Sequence, residues 1–370
     1  MTEDIQKYRR FSLWFSLWVL TLVGGIGLFN YLVNPYAIYQ PPVIKNVNDH
    51  FPAAQSYGRL YKAEGMKRVK PDMVIMGTSR ADIGLNPDIP ELAEYTSYNL
   101  ALSAATIFEQ RMNFEYAYHL NPPKMAVITL DFFAFNANRP IHSEYEPDRI
   151  SKEALSPLNA WTNSYGTIWS VDTVSTSLKH LRRMQKKERY SYPRENGHKV
   201  HWGGAHKTKK KGAHRMFKKP PAASSVVVQD FDMQYRAPKT GDTLQHLAAM
   251  LDLARTHDTK VIVLFSPFHE SHHKVLQAKN QWPLFEQWKQ RVIETVRHNG
   301  EKHQTEPYPL WDFTVLHPYI TEPVPAPEDR EKTLEWFWDS HHYKEELGEI
   351  MWHRILETGP QTDFGVRVQF

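Results

Sequence analysis

The chain of 370 residues contains no cysteine, carries little net charge and has one long hydrophobic run. The absence of cysteine excludes disulfides, thiol catalysis and cysteine-ligated metals, although it does not identify a cellular compartment. A formal charge of +4 gives the whole chain no general attraction to nucleic acid, so we expect no nucleic-acid partner. Hydrophobic residues make up 41% of the chain and include 11 Trp, which is enough for a sizeable core.

The hydrophobic run, residues 11–33, is long enough to cross a bilayer as one helix. Lys7, Arg9 and Arg10 precede it, so residues 1–10 are predicted to stay in the cytoplasm and the remainder to lie outside it. A cleaved signal peptide is the alternative, but the run is long for one and no small-x-small cleavage site follows it. The sequence therefore predicts a single-pass signal anchor in the inner (cytoplasmic) membrane, with the main domain in the periplasm or outside the cell.

Short apolar runs alternate with helical patterns through much of the remaining chain. We predict strands over 72–76, 95–100, 125–130, 260–265 and 308–311, and helices over 104–119, 244–256 and 282–298. This alternation is typical of a three-layer α/β sandwich with a parallel sheet, in which functional loops follow the carboxyl ends of strands. The predicted units are a juxtamembrane neck (34–70), an α/β domain (71–136 and 231–358) and a tail (359–370).

Residues 137–230 interrupt the alternation with a basic insertion. From 179 to 219 there are fifteen Lys or Arg, and the acidic residues are only Glu188 and Glu195. Because like charges repel and little apolar surface is present, this composition favours a solvated or partly disordered segment. The alternative is a basic surface that binds anionic lipid headgroups or an acidic polymer.

A serine near the start of the domain and an Asp-His pair near its end form a candidate Ser-His-Asp set. Ser79 follows the first apolar run and Gly77, so it can cap the next helix or act as a nucleophile if a base activates it. Asp339 precedes His342 by three residues, so its carboxylate can orient that ring and stabilise the imidazolium. His341 is the rival base, and the Asp-x-x-His spacing favours His342.

The segments around these residues resemble the sequence blocks of SGNH (GDSL-like) hydrolases. Residues 77–80 (Gly-Thr-Ser-Arg) are similar to the first block in its membrane-anchored form, 99–106 (Asn-Leu-Ala-Leu-Ser-Ala-Ala-Thr) to the second, and 339–342 (Asp-Ser-His-His) to the Asp-x-x-His block. The resemblance extends from about residue 70 to residue 355 and omits the basic insertion. It is closest to cell-envelope members of the alginate O-acetylation and teichoic-acid D-alanylation types.

The resemblance implies a flavodoxin-like parallel sheet, with Ser79 as nucleophile, His342 as base and Asp339 as the residue that orients it. It further implies an extracytoplasmic serine esterase or O-acyltransferase that acts on acyl groups, above all O-acetyl groups, of a cell-surface polysaccharide. A multi-pass acyl-exporting membrane protein is the implied protein partner. No cofactor and no metal are implied.

Two blocks depart from the family pattern on the side where an oxyanion would bind. The second-block glycine, whose amide usually donates to the oxyanion, corresponds to Ser103 or Ala104, either of which keeps a backbone donor. The Gly-x-Asn-Asp third block is replaced by residues 130–136, in which Asn136 is the candidate side-chain donor.

Three further residues are candidates for contacts near the nucleophile. Arg80 can bind an anionic group, and Trp338 can stack on a sugar ring. Asp131 follows a predicted strand and can cap a helix or pair with Arg80.

Two other functions remain open at this point. His269, Glu270 and His273 match H-E-x-x-H, the pattern of a zinc peptidase, with Glu286 as a speculative third ligand. The same loop can instead line the cleft beside the triad. The other alternative is a non-catalytic envelope protein that keeps the fold and binds anionic polymer through its basic insertion.

Overall fold

The computed structural model describes residues 2–218, 231–236 and 240–370. The helices of these segments are α1 (Thr2–Val33), α2 (Gly58–Val69), α3 (Ser79–Gly84), α4 (Ile107–Leu120), α5 (Pro157–Tyr165), α6 (Val171–Met184), α7 (Trp202–Lys211), α8 (Ala213–Lys218), α9 (Leu244–Thr256), α10 (Glu270–Ala278), α11 (Trp282–His303) and α12 (Glu345–Leu356). The strands are β1 (Met73–Met76), β2 (Ser97–Asn99), β3 (Met125–Leu130), β4 (Tyr192–Pro193), β5 (Lys199–Val200), β6 (Lys260–Phe265), β7 (Leu310–Asp312) and β8 (Val366–Arg367).

The central sheet has six strands in the order β2-β1-β3-β6-β7-β8. All neighbours are parallel except β7 and β8, which are antiparallel. Numbered along the chain, the five parallel strands follow the order 2-1-3-4-5, which is the order of flavodoxin-like sheets. The predicted α/β class with a mostly parallel sheet is confirmed.

Helices cover both faces of this sheet, so the domain has three layers. On β1, the side chains of Val74 and Met76 pack into the core under α2, α4, α9 and α11. The alternate residues, Met73 and Ile75, pack into the core under α3 and α12. Because both faces are covered, the strand is a continuous apolar run rather than an alternating one.

Parts of the predicted neck and of the predicted tail pack with the α/β domain. In the neck, α2 places Ala63 and Met66 fully inside the core. At the other end, β8 pairs with β7, with Asp312 opposite Val366. Short polar connections separate these elements from the rest of the domain in the sequence, and only the tertiary contacts show that they complete it.

Within residues 137–218 the insertion is folded, whereas its composition favours a solvated or partly disordered segment. It contains α5 to α8 and the β4–β5 hairpin. The ring of His198 is fully buried and bonded to the Ile83 carbonyl oxygen at 2.9 Å, and Lys199 is buried with its ammonium 2.6 Å from Asp82. Polar contacts with the domain therefore hold the β5 strand of the basic insertion in place. The remainder of the insertion lies outside the described residues.

Helix α1 contains a segment, Asp4–Val33, that is long and apolar enough to cross a membrane. Its last turns pack on the insertion rather than on the sheet. The Asn30 side-chain amide donates to the Ile168 carbonyl oxygen at 2.7 Å and accepts from the Ser177 hydroxyl at 2.9 Å. The insertion therefore connects the end of the apolar helix to the domain.

Candidate active site

The turn between β1 and α3 carries Ser79 to the carboxyl edge of the sheet. Gly77 has a φ of +154°, and a Cβ at this position would overlap the Thr129 hydroxyl, so the turn requires glycine. The hydroxyl of Thr78 caps α3 by accepting the amide hydrogen of Arg80 at 3.5 Å. Ser79 is thus the first helical residue and not the cap.

Ser79, His342 and Asp339 lie in one chain of hydrogen bonds. Ser79 Oγ is 2.9 Å from His342 Nε2. On the other side of the ring, His342 Nδ1 is 2.9 Å from Asp339 Oδ2 and 3.0 Å from Oδ1. The amides of His341 and His342 also donate to Asp339 Oδ1, at 2.8 and 3.0 Å, which fixes the carboxylate.

The proton positions in this chain follow from the charge of Asp339. Burial opposes ionisation of this carboxyl, but the His342 ring and the hydrogen bonds it receives hold its pKa far below the usual range. An ionised carboxylate can only accept, so Nδ1 of His342 carries the proton and Nε2 accepts from the Ser79 hydroxyl. This tautomer has the free nitrogen facing the serine, as a general base needs.

A tight turn and one buried tyrosine bring the histidine to the serine. The Trp338 amide donates to the His342 carbonyl oxygen at 2.9 Å, which closes the turn that contains the Asp-His pair. The next residue, Tyr343, is fully buried against Gly84, where a Cβ would overlap the tyrosine ring. Because Gly84 and Ser79 belong to the same short helix, this packing holds the turn beside the serine.

His341, the rival base, is directed away from the serine. Its Nδ1 lies 2.7 Å from the Ser340 hydroxyl, and its ring centroid is 4.0 Å from that of His272. Burial, reinforced by the nearby charge of Arg80, lowers the pKa of His341 to about 3. His341 is therefore a neutral core residue, and adjacent histidines point apart as the spacing predicts.

The loop after β2 lies against the nucleophile turn and carries the predicted oxyanion donors. The Leu102 amide donates to the Gly77 carbonyl oxygen at 3.0 Å, which fixes the distance between the two loops. Ala104 has a φ of +60°, a left-handed conformation that favours glycine. Of Ser103 and Ala104, it is thus Ala104 that has a backbone conformation typical of glycine. A backbone amide is available at either position.

Two buried lysines and one aspartate support this loop from below. Lys62 and Lys199 each place an ammonium 2.6 Å from a different oxygen of Asp82. Lys62 also donates to the Ala101 carbonyl oxygen, and Lys199 donates to the Ser103 hydroxyl at 2.9 Å. Burial opposes the charge of Asp82, but Lys199 and Lys62 outweigh it and lower the pKa of this carboxyl.

Arg80, a candidate for binding an anionic group, lies in the interior and pairs with a carboxylate there. It is buried, its guanidinium lies 2.8 Å from Asp131 Oδ1, and the Phe268 ring lies 5.1 Å from it. Asp131 also accepts from the Thr78 hydroxyl at 2.5 Å. The second interpretation of Asp131, as the partner of Arg80, is therefore the one observed, and the pair joins the ends of β1 and β3.

Asn136, the candidate side-chain oxyanion donor, directly follows the short 3-10 turn Phe132–Phe135. Its side-chain oxygen accepts the amides of Asn138 at 3.1 Å and Asp232 at 3.2 Å. Within the described residues neither hydrogen bond involves the triad.

Trp338 lies beside the triad, as predicted, and is only partly buried. The Lys344 ammonium is 4.7 Å from the centre of its ring, and the His201 ring packs edge-on at 5.6 Å. The His201 ring centroid is also 6.3 Å from that of His342. Burial lowers the pKa of His201 to about 3, so this neighbour stays neutral.

The H-E-x-x-H residues do not form a zinc-peptidase face. His269 is the N-cap of α10, outside the helix, so it does not share one helical face with His273. One ring nitrogen of His269 lies 2.8 Å from the Glu322 carbonyl oxygen, and the other lies 2.9 Å from the Ser271 hydroxyl. No group of potential ligands that could hold a metal is found among the described residues. The zinc interpretation is therefore wrong for this arrangement.

The same loop instead supports the Asp-His turn. The amide of His269 donates to the Ser340 carbonyl oxygen at 3.2 Å, and the His272 ring packs on His341. This outcome agrees with the alternative that the loop lies beside the triad.

Four residues near the site were not predicted from the sequence: Lys62, Asp82, Lys199 and His201. They come from the neck, from α3 and from the basic insertion, which carry no motif for the site. Of the four, only Asp82 could have been suspected from the sequence, because it lies one helical turn after Ser79 on the same short helix.

The chemical evidence about this chain comes from its own side chains, because comparison with known protein families and with curated proteins finds no match.

Proposed function

We propose that this chain is an extracytoplasmic serine esterase or O-acyltransferase of SGNH-hydrolase type. The observation that carries the proposal is the hydrogen-bond chain from Ser79 Oγ through the His342 ring to Asp339. A serine hydroxyl is barely ionised at neutral pH, so it becomes a nucleophile only beside a base in this orientation. Side chains of Ser79 and His342 are both partly exposed, so a substrate can reach them.

The reaction follows from the positions of the protons. Ser79 Oγ attacks the carbonyl carbon of an ester while His342 Nε2 takes the hydroxyl proton, and Asp339 stabilises the imidazolium. The tetrahedral intermediate then expels the alcohol, which takes the proton from His342, and acyl-Ser79 remains. Water or a sugar hydroxyl then gives its proton to His342 Nε2 and attacks the acyl carbon. The second tetrahedral intermediate breaks its bond to Ser79 Oγ, which takes the proton back from His342, and the acid or the acylated sugar leaves. Water makes the protein an esterase, and a sugar hydroxyl makes it a transferase.

The oxyanion of the intermediate needs donors beside the serine. The Ser79 amide, at the first position of α3, has no acceptor within the helix and is one candidate. The amides of the loop after β2, at Ser103 and Ala104, are the others. The Arg59 guanidinium donates to the Ser103 carbonyl oxygen at 3.3 Å, and Lys199 holds the Ser103 hydroxyl, so this loop is restrained on two sides. Restrained donors stabilise developing charge without reorganising.

The substrate class rests on the resemblance and on the anchor. The apolar helix α1 and the basic residues before it support placement at the inner membrane, with the domain on the outer side. Acyl groups on a cell-surface polysaccharide, above all O-acetyl groups, are the substrates that this placement and the SGNH resemblance favour. A multi-pass acyl-exporting membrane protein is the partner that would supply the acyl group.

Hydrolysis of p-nitrophenyl acetate by the purified full chain tests the nucleophile and the base. We expect Ser79→Ala and His342→Ala to lower kcat by about 10³-fold or more, and Asp339→Asn to lower it by about 10³–10⁴-fold. A fluorophosphonate probe should form a covalent adduct with the parent, and peptide mass spectrometry should locate the adduct at Ser79.

Ser175→Ala and His298→Ala are the matched controls, since both positions are exposed and lie on helices α6 and α11, which carry none of the three triad residues. Both controls should keep parental activity. Parental hydrolysis by Ser79→Ala, or an unchanged adduct in that variant, would show that the assignment is wrong.

A further inference from the structure

The insertion exposes an apolar face that the domain does not use. It comprises Leu158, Trp161, Tyr165, Trp169 and Val171, which we call the collar. Leu158 and Val171 are 72% and 77% exposed, and Trp161 is 56% exposed. On α5, Leu158, Trp161 and Tyr165 are spaced to share one face of the helix. An exposed apolar patch of this kind marks an interaction surface.

The collar is attached to the last turns of α1. Trp169 packs against Gly27, where a Cβ would overlap the indole ring. One residue earlier, the Ile168 carbonyl oxygen accepts from the Asn30 side chain at 2.7 Å. These two contacts fix the collar at the level of residues 27–30 of the apolar helix.

The length of the apolar helix places this level in the membrane interface. The segment Asp4–Val33 has 30 residues, which at about 1.5 Å per residue is about 45 Å. A bilayer is about 30 Å thick in its hydrocarbon core and about 40–45 Å thick with its headgroups. If α1 spans the membrane, the basic first turns lie in one headgroup layer and residues 27–33 lie in the other.

The chemistry of the collar fits lipid better than bulk water. Tryptophan and tyrosine are enriched at membrane interfaces, because their rings are apolar and their N–H or O–H groups remain hydrated. On the outward face of α6, exposed Lys179 and Arg182 accompany Leu178, which is 47% exposed. Basic side chains next to apolar ones are typical of elements that lie on anionic lipid surfaces.

We propose that the collar lies in the outer interfacial layer of the bilayer that α1 crosses. The domain is then held to the lipid surface by a spanning helix and by an interfacial face, which restricts its rotation about α1. The proposal rests on the membrane anchoring that forms part of the proposed function, but it does not depend on catalysis.

The absence of cysteine allows single-site labelling of the full chain. We would introduce Leu158→Cys in the collar, Leu20→Cys within the span and Leu316→Cys in the exposed loop after β7, and attach one fluorophore to each. Leu20, Leu158 and Leu316 are 70%, 72% and 64% exposed, so the three substitutions are matched in type and burial. Each protein is reconstituted in phosphatidylcholine–phosphatidylglycerol bilayers with a nitroxide on the upper acyl chain or on its end.

We expect nitroxide on the upper acyl chain to quench the Leu158 label about twofold or more above the Leu316 label, while iodide quenches mainly the Leu316 label. The Leu20 label should be quenched most by nitroxide at the chain end. If Leu20 is quenched by lipid but Leu158 is quenched only by iodide, the collar faces water and the proposal is wrong. Protection of Leu158 from both quenchers would also overturn it, since a protein would then cover the collar.

A Leu20 label that lipid does not quench would show that α1 does not span, and the proposed anchoring and the collar would fail together. Ester hydrolysis by the same labelled proteins is measured in parallel. It separates failure of the collar from failure of the proposed chemistry.

Discussion

Asp82 pairs with two buried lysines directly beneath the loop that carries the candidate oxyanion donors. Its side chain is 2% exposed, and those of Lys62 and Lys199 are 1% and 11% exposed. Burial outweighs the carboxylate and lowers the pKa of Lys62 to about 8. A buried charge without its partner is far more costly than the intact pair, so this carboxylate is expected to matter more than any surface charge.

Asp82→Asn is predicted to lower the free energy of unfolding by about 3–5 kcal/mol, because it leaves two ammonium groups buried with no opposite charge. Urea unfolding of the detergent-solubilised full chain, followed by circular dichroism, measures the change. The matched control is Asp363→Asn, since Asp363 pairs with His317 at 2.9 Å but is 94% exposed. An exposed pair of this kind contributes about 0–1 kcal/mol. Equal effects of the two substitutions would contradict the structural role of Asp82.

At the scale of elements, the turn from β1 to α3 sets the position of Ser79, the proposed nucleophile. Gly77 in this turn packs against Thr129 of β3, which leaves no space for a side chain at position 77. The ion pair between Arg80 and Asp131 joins the segments that follow the carboxyl ends of β1 and β3. In sheets with this topology the order of the strands reverses between β1 and β3, and ligands bind in the crevice at that point. The position of Ser79 is therefore set by backbone geometry rather than by its own contacts.

Gly77→Ala is predicted to destabilise the fold by about 1–3 kcal/mol and to lower the rate of ester hydrolysis. The new Cβ would displace the Thr129 hydroxyl, and alanine would have to adopt a φ of +154°, which is unfavourable for it. Thermal unfolding and kcat/KM measure the two effects. Gly166→Ala is the control, since Gly166 has a φ of −57° and nothing lies within 4 Å of its added Cβ. Parental stability and activity in Gly77→Ala would show that the turn tolerates a side chain.

At the scale of the whole molecule, buried neutral histidines couple the fold to pH. Burial lowers the pKa values of His198 and His273 to about 4 and that of His341 to about 3, and it lowers that of His272 well below the usual range. An unfolded histidine has a pKa of about 6.5, so between that pH and about 4 the unfolded chain binds more protons than the folded one. Stability therefore rises with pH across this window and is lost as pH falls.

The melting temperature of the solubilised full chain is predicted to decrease steadily from pH 7.5 to pH 5. At about one pH unit below 6.5, each such histidine lowers the free energy of unfolding by about 1 kcal/mol. His273→Leu should flatten this dependence, because His273 Nε2 is buried without a partner in the described structure and the change removes one group that takes up a proton. His298→Leu, at a position 78% exposed, is the control and should leave the slope as it is. A melting temperature that stays constant over this range would refute the prediction.

Much of the fold could be predicted because its signals are local. The strands at 125–130 and 260–265 and the helix at 244–256 have the predicted bounds, since each is a periodic or continuous apolar segment. The basic insertion and the neck could not be predicted in the same way. Lys199 and Lys62 are polar residues in polar segments, and their burial depends on a carboxylate that lies elsewhere in the sequence.

The sequence by itself predicted Ser79, His342 and Asp339 as a candidate set and left His341 as a rival, because the Asp-x-x-His spacing is a property of the chain. It also determined the apolar helix and the parallel α/β class. Only the tertiary structure decided that His342 and not His341 faces Ser79, because the burial of Tyr343 against Gly84 sets the rotation of that turn. It likewise gave Arg80 to Asp131 and brought Lys199 of the insertion under the second loop, since a buried charge must lie beside its partner whatever their separation in sequence.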